Sequence, residues 1–226
     1  MKKFWDYLST AAISLCLFMA SCSNSSTNQK NLFLLKEGNF WNYHGSFNGK
    51  TLNPRIEVLK VMKEGEVTFA LMKGFPTDVM EGDNWEAGLW GLLSVNGYYY
   101  RVTGSRVDSI RNKLLDTTGV QSGLVTDADL FVTALYDTGQ VFGEASQLTR
   151  NDGNYFWKVT GKKAWEASSI KGLTKTGPFD RFTLDFKTVA DETTIDIVPG
   201  VGIVRYRYCH HGTPAELDMK LVEAGI

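Results

Sequence analysis

Hydrophobic and polar residues alternate with a period of two along much of the C-terminal half of the chain. Phe182, Leu184 and Phe186 alternate with Arg181, Thr183, Asp185 and Lys187. Ile195 and Ile197 alternate with Thr194 and Asp196. Val204, Tyr206 and Tyr208 alternate with Arg205, Arg207 and Cys209, and Leu217, Met219 and Leu221 with Glu216, Asp218 and Lys220. Val67, Phe69 and Leu71 show the same pattern earlier. Neighbouring side chains on a strand point to opposite faces. Each run therefore predicts an antiparallel strand with one face on a core and the other in water.

Turn signals separate the runs. Asn48-Gly49, Asn96-Gly97 and Asp152-Gly153 suit hairpin turns that need positive φ, and Glu64-Gly65 and Pro199-Gly200 mark further turns. About eleven or twelve short strands are expected between residues 32 and 226. One helix is expected over 108–115, with Val107, Ile110, Leu114 and Leu115 sharing a face, and a further helical turn over 84–89.

Two stretches of the chain echo each other. Residues 34–41 and 135–142 both read apolar, polar pair, Gly, amide, apolar pair. The turns at 74–76 and 177–179 and the hairpins at 93–100 and 195–202 follow in the same order. The expected fold is mainly β and antiparallel. Two similar half-repeats, about 32–104 and 130–226, form a partly open barrel or a sandwich with one short helix. The helix, lying between the halves, would plug or cover the opening.

The N-terminus carries an address. Lys2 and Lys3 precede a short apolar run over residues 11–20, so residues 1–21 read as a secretory signal too short to span a bilayer. Met19-Ala20-Ser21-Cys22 resembles a bacterial lipobox, which implies cleavage before Cys22 and acylation of its sulfur. An ordinary signal peptide cut near Ser21 is the other reading. Residues 22–31 are polar and form a flexible tether. Ser23 after the cysteine resembles outer-membrane sorting. The expected location is the cell envelope, lipid-anchored, at the outer membrane. Acyl chains on Cys22 would make the membrane a partner, because each buried methylene contributes about 0.8 kcal/mol.

Composition narrows the class. The chain has 226 residues, 43% of them hydrophobic, which is enough for a core. Twenty-four basic against 25 acidic residues leave a net charge of −1, so no basic footprint for nucleic acid is present. Of the three cysteines, Cys16 leaves with the signal and Cys22 would be acylated. Cys209 then remains alone, with no intramolecular disulfide. It reads as a small apolar residue; a thiol activated by Arg205 and Arg207 is the alternative.

Residues 34–43, with Gly38, Asn39 and the aromatic pair Phe40-Trp41, resemble the opening of uncharacterised bacterial envelope lipoproteins sometimes called TapB-like. Residues 198–206, with Pro199-Gly200-Val201-Gly202, and the turn at 177–180 resemble the closing part of that family. The chain departs from the pattern at Phe142, where tryptophan is usual, and at Leu34-Leu35, which lack a proline. The resemblance implies a fold similar to the open β-barrels of lipoprotein carriers. It implies no catalytic residues, and fold-level likeness does not settle function.

No Gly-x-Ser-x-Gly elbow, phosphate loop or dinucleotide fingerprint occurs. His44, His210 and His211 read as solvated rather than as metal ligands. Asp127 and Asp129, and Asp78, Glu81 and Asp83, read as loop or cap acids that lack a calcium loop's remaining oxygens. No metal or other cofactor is expected. Tryptophans and tyrosines in a β-domain mostly fill the core. Trp85 and Trp90, in and beside a glycine-rich stretch, and Tyr98 and Tyr100, on one strand face, are the candidates for lining a ligand cleft. The expectation is a non-enzymatic binding or structural module of the envelope, with a hydrophobic small molecule or another envelope protein as partner. A carrier or sensor of lipid, and an envelope hydrolase, are the alternatives. Metabolic labelling with a palmitate analogue is expected to mark the wild-type chain and to vanish in Cys22→Ala; persistent labelling would remove the anchor.

Overall fold

The computed structural model describes residues 31–74, 88–115, 125, 129–133, 136–173, 178–213 and 215–226. The signal, Cys22, nearly all of the tether, Trp85, the acids at 78–83 and Asp127 lie outside the described residues, as do the side chains of Leu114 and Leu115. The expected helical turn at 84–89 falls mostly there too.

The strands are β1 (Phe40–Phe47), β2 (Lys50–Leu52), β3 (Arg55–Glu64), β4 (Val67–Lys73), β5 (Leu89–Val95) and β6 (Tyr98–Val102). The helix α1 (Ser105–Leu115) follows. The chain continues through β7 (Leu130–Thr133), β8 (Val141–Phe142), β9 (Trp157–Trp165), β10 (Phe179–Lys187), β11 (Asp191–Val198), β12 (Gly202–His210) and β13 (Glu216–Gly225). Among the described residues, these thirteen strands form one antiparallel sheet in the order β7-β6-β5-β4-β3-β1-β13-β12-β11-β10-β9-β8, with β2 paired to β1 alone. The sheet curls into a nearly closed barrel whose seam lies between the short end strands β7 and β8. Phe131 of β7 meets Trp157 of β9 edge-on across that seam, ring centres 6.2 Å apart. Of the two expected forms, a partly open barrel or a sandwich, the barrel is what forms; the described residues hold one short helix and one or two strands more than the turn signals suggest.

Local chemistry explains the turns. Asn48-Gly49 and Asn96-Gly97 adopt φ of +48° and +77°, and +50° and +81°, the paired positive values of a type I′ hairpin. Asp152-Gly153 does not make a hairpin. Only Gly153 has positive φ, and the pair lies in the loop between β8 and β9. There the Asp152 carboxylate binds Arg150 and accepts a hydrogen bond from the Asn154 backbone N–H at 3.1 Å, a local alternative to strand pairing.

Strands β4 to β6 are apolar on both faces. Ala70, Met72, Trp90, Leu92 and Tyr99 point into the barrel core. Val67, Phe69, Leu93 and Val102 form a second cluster with Val107 and Ile110 of α1. The helix therefore covers the outer wall of β4–β6 and does not plug the barrel's opening. A sheet buried on both faces needs cover on both, and the amphipathic helix supplies the outer one.

One end of the barrel is closed by the segment preceding β1. Leu32 is 0% exposed; its N–H donates to the Tyr99 hydroxyl at 2.9 Å, and its carbonyl accepts from the Gly200 N–H at 3.2 Å. The Phe33 ring packs edge-on against Trp41 and Tyr99. The Trp41 indole N–H donates to the Val201 carbonyl at 2.6 Å, and the Tyr43 hydroxyl to the Ile203 carbonyl at 3.0 Å. Gly202, at φ +102°, sits so close that a Cβ there would lie 3.0 Å from the Phe33 ring.

The two echoing stretches make the same backbone bonds. Gly38 N–H donates to Val58, Asn39 N–H to Lys36, and Val58 N–H to Asn39, at 2.9, 3.0 and 2.9 Å. Gly139 N–H donates to Val159, Gln140 N–H to Asp137, and Val159 N–H to Gln140, at 2.8, 2.9 and 2.9 Å.

Carboxylates brace the outer wall and the strand ends. The Arg205 guanidinium binds Asp218 with two hydrogen bonds of 2.9 and 2.7 Å. Asp191 accepts from the Tyr208 hydroxyl, from His210 and from the Thr188 hydroxyl. These donors hold Asp218 and Asp191 below the ordinary carboxylate range, while burial and the Asp191 contact push Tyr208 up to about 12.

Leu32→Ala is expected to lower the unfolding free energy in urea by about 2–4 kcal/mol, and a change under about 0.5 kcal/mol would remove its role as a plug. The two depressed carboxylates contribute stability that is complete above their unfolded pKa, near pH 4, and lost as pH falls through their lower folded values. The urea midpoint is expected to drop between pH 5 and pH 3, and less steeply in Asp218→Asn.

Candidate functional site

The register carries the inward positions of each strand from the closed end to the opposite, open end. On β11 these are Ile197, Ile195, Thr193 and Asp191; on β12, Tyr206, Tyr208 and His210; on β10, Leu184 and Phe186. Aliphatic residues fill the middle of the barrel. Aromatic and polar residues replace them at the open end.

A recess of about 280 Å³ opens there. Phe131, Trp157, Phe186 and Tyr206 supply its aromatic walls, and Arg101, Thr103, Asp129 and Thr193 its polar rim. A second recess of about 190 Å³ shares Leu130, Trp157 and Phe186 and runs toward Glu144, Gln147 and Tyr155 on the seam side. Trp157 is common to both. Its ring lies 5.2 Å from Phe186, tilted by 43°, and stacks at 14° on Phe142 of β8 at 6.3 Å. Three aromatic neighbours fix the indole plane, so the wall is preformed.

The polar rim is anchored as well. Asp129 takes a bidentate contact from Arg106 at 2.8 and 2.6 Å, which ties the start of α1 to β7 and raises the Arg106 pKa. One register step outward from Thr193, the Asp191 carboxylate gathers Tyr208, Thr188 and His210, the last at 2.7 Å. An imidazole that donates from Nδ1 to a carboxylate leaves Nε2 as an acceptor.

The structure separates the aromatic residues singled out in the sequence. Trp90 is 2% exposed and faces the core, its indole N–H on the Gly74 carbonyl at 3.0 Å. Tyr98 is 46% exposed on the outer side, near the closed end. Tyr100 is half-buried in the cluster under α1, and Tyr99 between them points inward. None of these three lines the open end, and Trp85 lies outside the described residues. The recess is built instead from Phe131, Trp157, Phe186 and Tyr206. Phe186 and Tyr206 were legible as inward positions of alternating runs. Nothing in the alternation marks them as the runs' unfilled ends.

His44 shares a hydrogen bond with Asn53 at 2.8 Å on the surface, and His211 is exposed. Among the described residues no group of three or more His, Cys, Asp or Glu is placed to hold a metal. Cys209 is a free thiol, half-buried, with its strand neighbours Tyr208 and His210 on the opposite face.

No family model matches the chain, and no curated protein matches it. Among solved structures, a provisionally assigned lipoprotein of Parabacteroides distasonis superposes with a TM-score of 0.43 at 13% identity, covering 86% of this chain and 98% of that one. A provisionally assigned exported protein of Bacteroides fragilis, described as having a YmcC-like fold, gives a TM-score of 0.41 at 9% identity, covering 85% and 97%.

Proposed function

We propose that the chain is a non-catalytic binding module of the bacterial cell envelope, tethered through Cys22, that receives a compact hydrophobic molecule at the open end of its barrel. The observation that carries this reading is the recess around Trp157, beside a barrel middle packed with aliphatic side chains. Ligand pockets are typically about 300–1,000 Å³. At about 280 Å³ the recess suits a single ring with a polar edge. Aromatic faces would hold the ring, and Arg101, Thr103 and Thr193 would meet its polar groups.

The envelope address rests on the lipobox-like residues 19–22 and on the likeness of residues 34–43 and 198–206 to TapB-like lipoproteins. A carrier of an extended acyl chain would need continuous apolar volume along the barrel, and that space holds Leu184, Ile195, Met219 and Leu221 instead. A hydrolase would need a nucleophile on a histidine. Among the described residues, the ring contacts of His210 and His44 run to Asp191 and Asn53.

Ligand-observed NMR with indole as the probe is expected to show saturable binding to the wild-type domain. Trp157→Ala, at a partly buried position, is expected to weaken it at least tenfold while far-ultraviolet circular dichroism is unchanged. Binding that is unsaturable, or equal in the variant, would overturn the reading.

A further inference from the structure

On the outer wall, the polar positions of β11, β12, β13 and β1 fall into rows across the sheet. One row runs Glu192, Cys209, Glu216; the next runs Thr194, Arg207, Asp218, Ser46. A cavity of about 760 Å³ lies over these rows, well inside the size range of ligand sites. It shares none of its lining with the recess at the barrel's open end.

The groups in it are unevenly satisfied. Arg205 and Asp218 neutralise each other, and Glu192 is paired with Lys187 at 3.1 Å. Among the described residues, Arg207 lies opposite Asp218 and helps hold that carboxyl low but makes no close ion pair, and the Glu216 carboxylate has no partner; both are exposed. Thr194 is only 7% exposed, lines the cavity, and has no side-chain hydrogen bond among the described residues. Its hydroxyl oxygen keeps contact with solvent, so a ligand group there would replace water.

We infer that this cavity is a binding site for a short zwitterionic peptide. Arg207 would take its carboxylate and Glu216 its ammonium group, with the Thr194 hydroxyl, opposite Arg207 on β11, as a further donor to the carboxylate. The two charged residues lie diagonally across β12 and β13, where Cβ atoms are about 7–8 Å apart. An extended di- or tripeptide spans roughly 7–11 Å, so its termini reach both. A guanidinium with no close ion pair beside a free carboxylate favours a ligand with both charges over an anion or a cation, each of which one of the two residues would repel. Among the described residues Tyr208 is the one aromatic residue of the lining, and its side chain lies on the opposite face of β12 from Cys209, so no stacking platform for a sugar is offered.

The test is titration of isotope-labelled protein with trialanine, with N-acetyl-trialanine, with trialanine amide and with sucrose, following the amides of Thr194 and Cys209. Trialanine is expected to shift them saturably, and each single cap to weaken binding at least fivefold. Arg207→Gln is expected to abolish the penalty of the C-terminal amide only, and Glu216→Gln that of the N-acetyl cap only. Both positions are exposed, so the variants keep the fold, checked by unchanged amide dispersion. Absence of shifts at 10 mM trialanine, equal affinity for capped and uncapped peptides, or a saturable response to sucrose would each overturn the assignment.

Discussion

Strand β1 pairs with β2 and β3 on one edge and, on the other, with β13, the last strand, over its whole length from Phe40↔Gly225 to Phe47↔Leu217. That pairing is what the rest of the structure depends on. Without it the sheet would part into two halves, β7 to β1 and β13 to β8, each with a long unpaired edge and an exposed apolar face, a state prone to association. With it, Trp41 and Tyr43 of β1 and Leu217, Met219 and Leu221 of β13 turn inward together and share one core. The bulge between Asn42 and Tyr43 keeps both runs in phase, because a one-residue slip would turn every inward side chain outward.

The two ends of the barrel differ for the same reason. The chain entering β1 must cross one end, and it does so with Leu32 and Phe33, whose backbone groups are satisfied by Tyr99 and Gly200. At the other end the inward positions run into Thr193, Asp191 and His210, residues that tolerate water, and the aromatic ring of Trp157 has open space beside it. The seam between β7 and β8 adds to this, because two short strands cannot bring their backbones into register there.

Charge follows the walls. The outward faces of β10 to β13 place Arg181 against Asp196 and Arg205 against Asp218, so the sheet's polar side is ordered as well as solvated. Asp196 is 5% exposed and also accepts from the Thr183 hydroxyl at 2.7 Å, the satisfaction a buried carboxylate requires. Interleaved signs across strands also fix the neighbours, since like charges directly opposite are unfavourable.

The amino-acid sequence alone settled the strands around 181–187, 194–197, 204–209 and 216–221 with the inward or outward sense of their residues, and the type I′ turns at 48–49 and 96–97. These rest on nearest-neighbour rules: side chains alternate every residue, and Asn-Gly accepts positive φ wherever it stands. It also determined that a short amphipathic helix follows β6. Three things were decided only by the tertiary structure. The helix went to the outer wall because Phe69 and Leu93 needed cover there. Asp152-Gly153 stayed in a loop because Arg150 and Asn154 claimed the carboxylate. The aromatic recess formed around Trp157, Phe186, Phe131 and Tyr206, residues from four strands far apart in sequence. Periodicity states which way a side chain points, but only closure of the sheet states what lies opposite it, and a cavity is a property of what lies opposite.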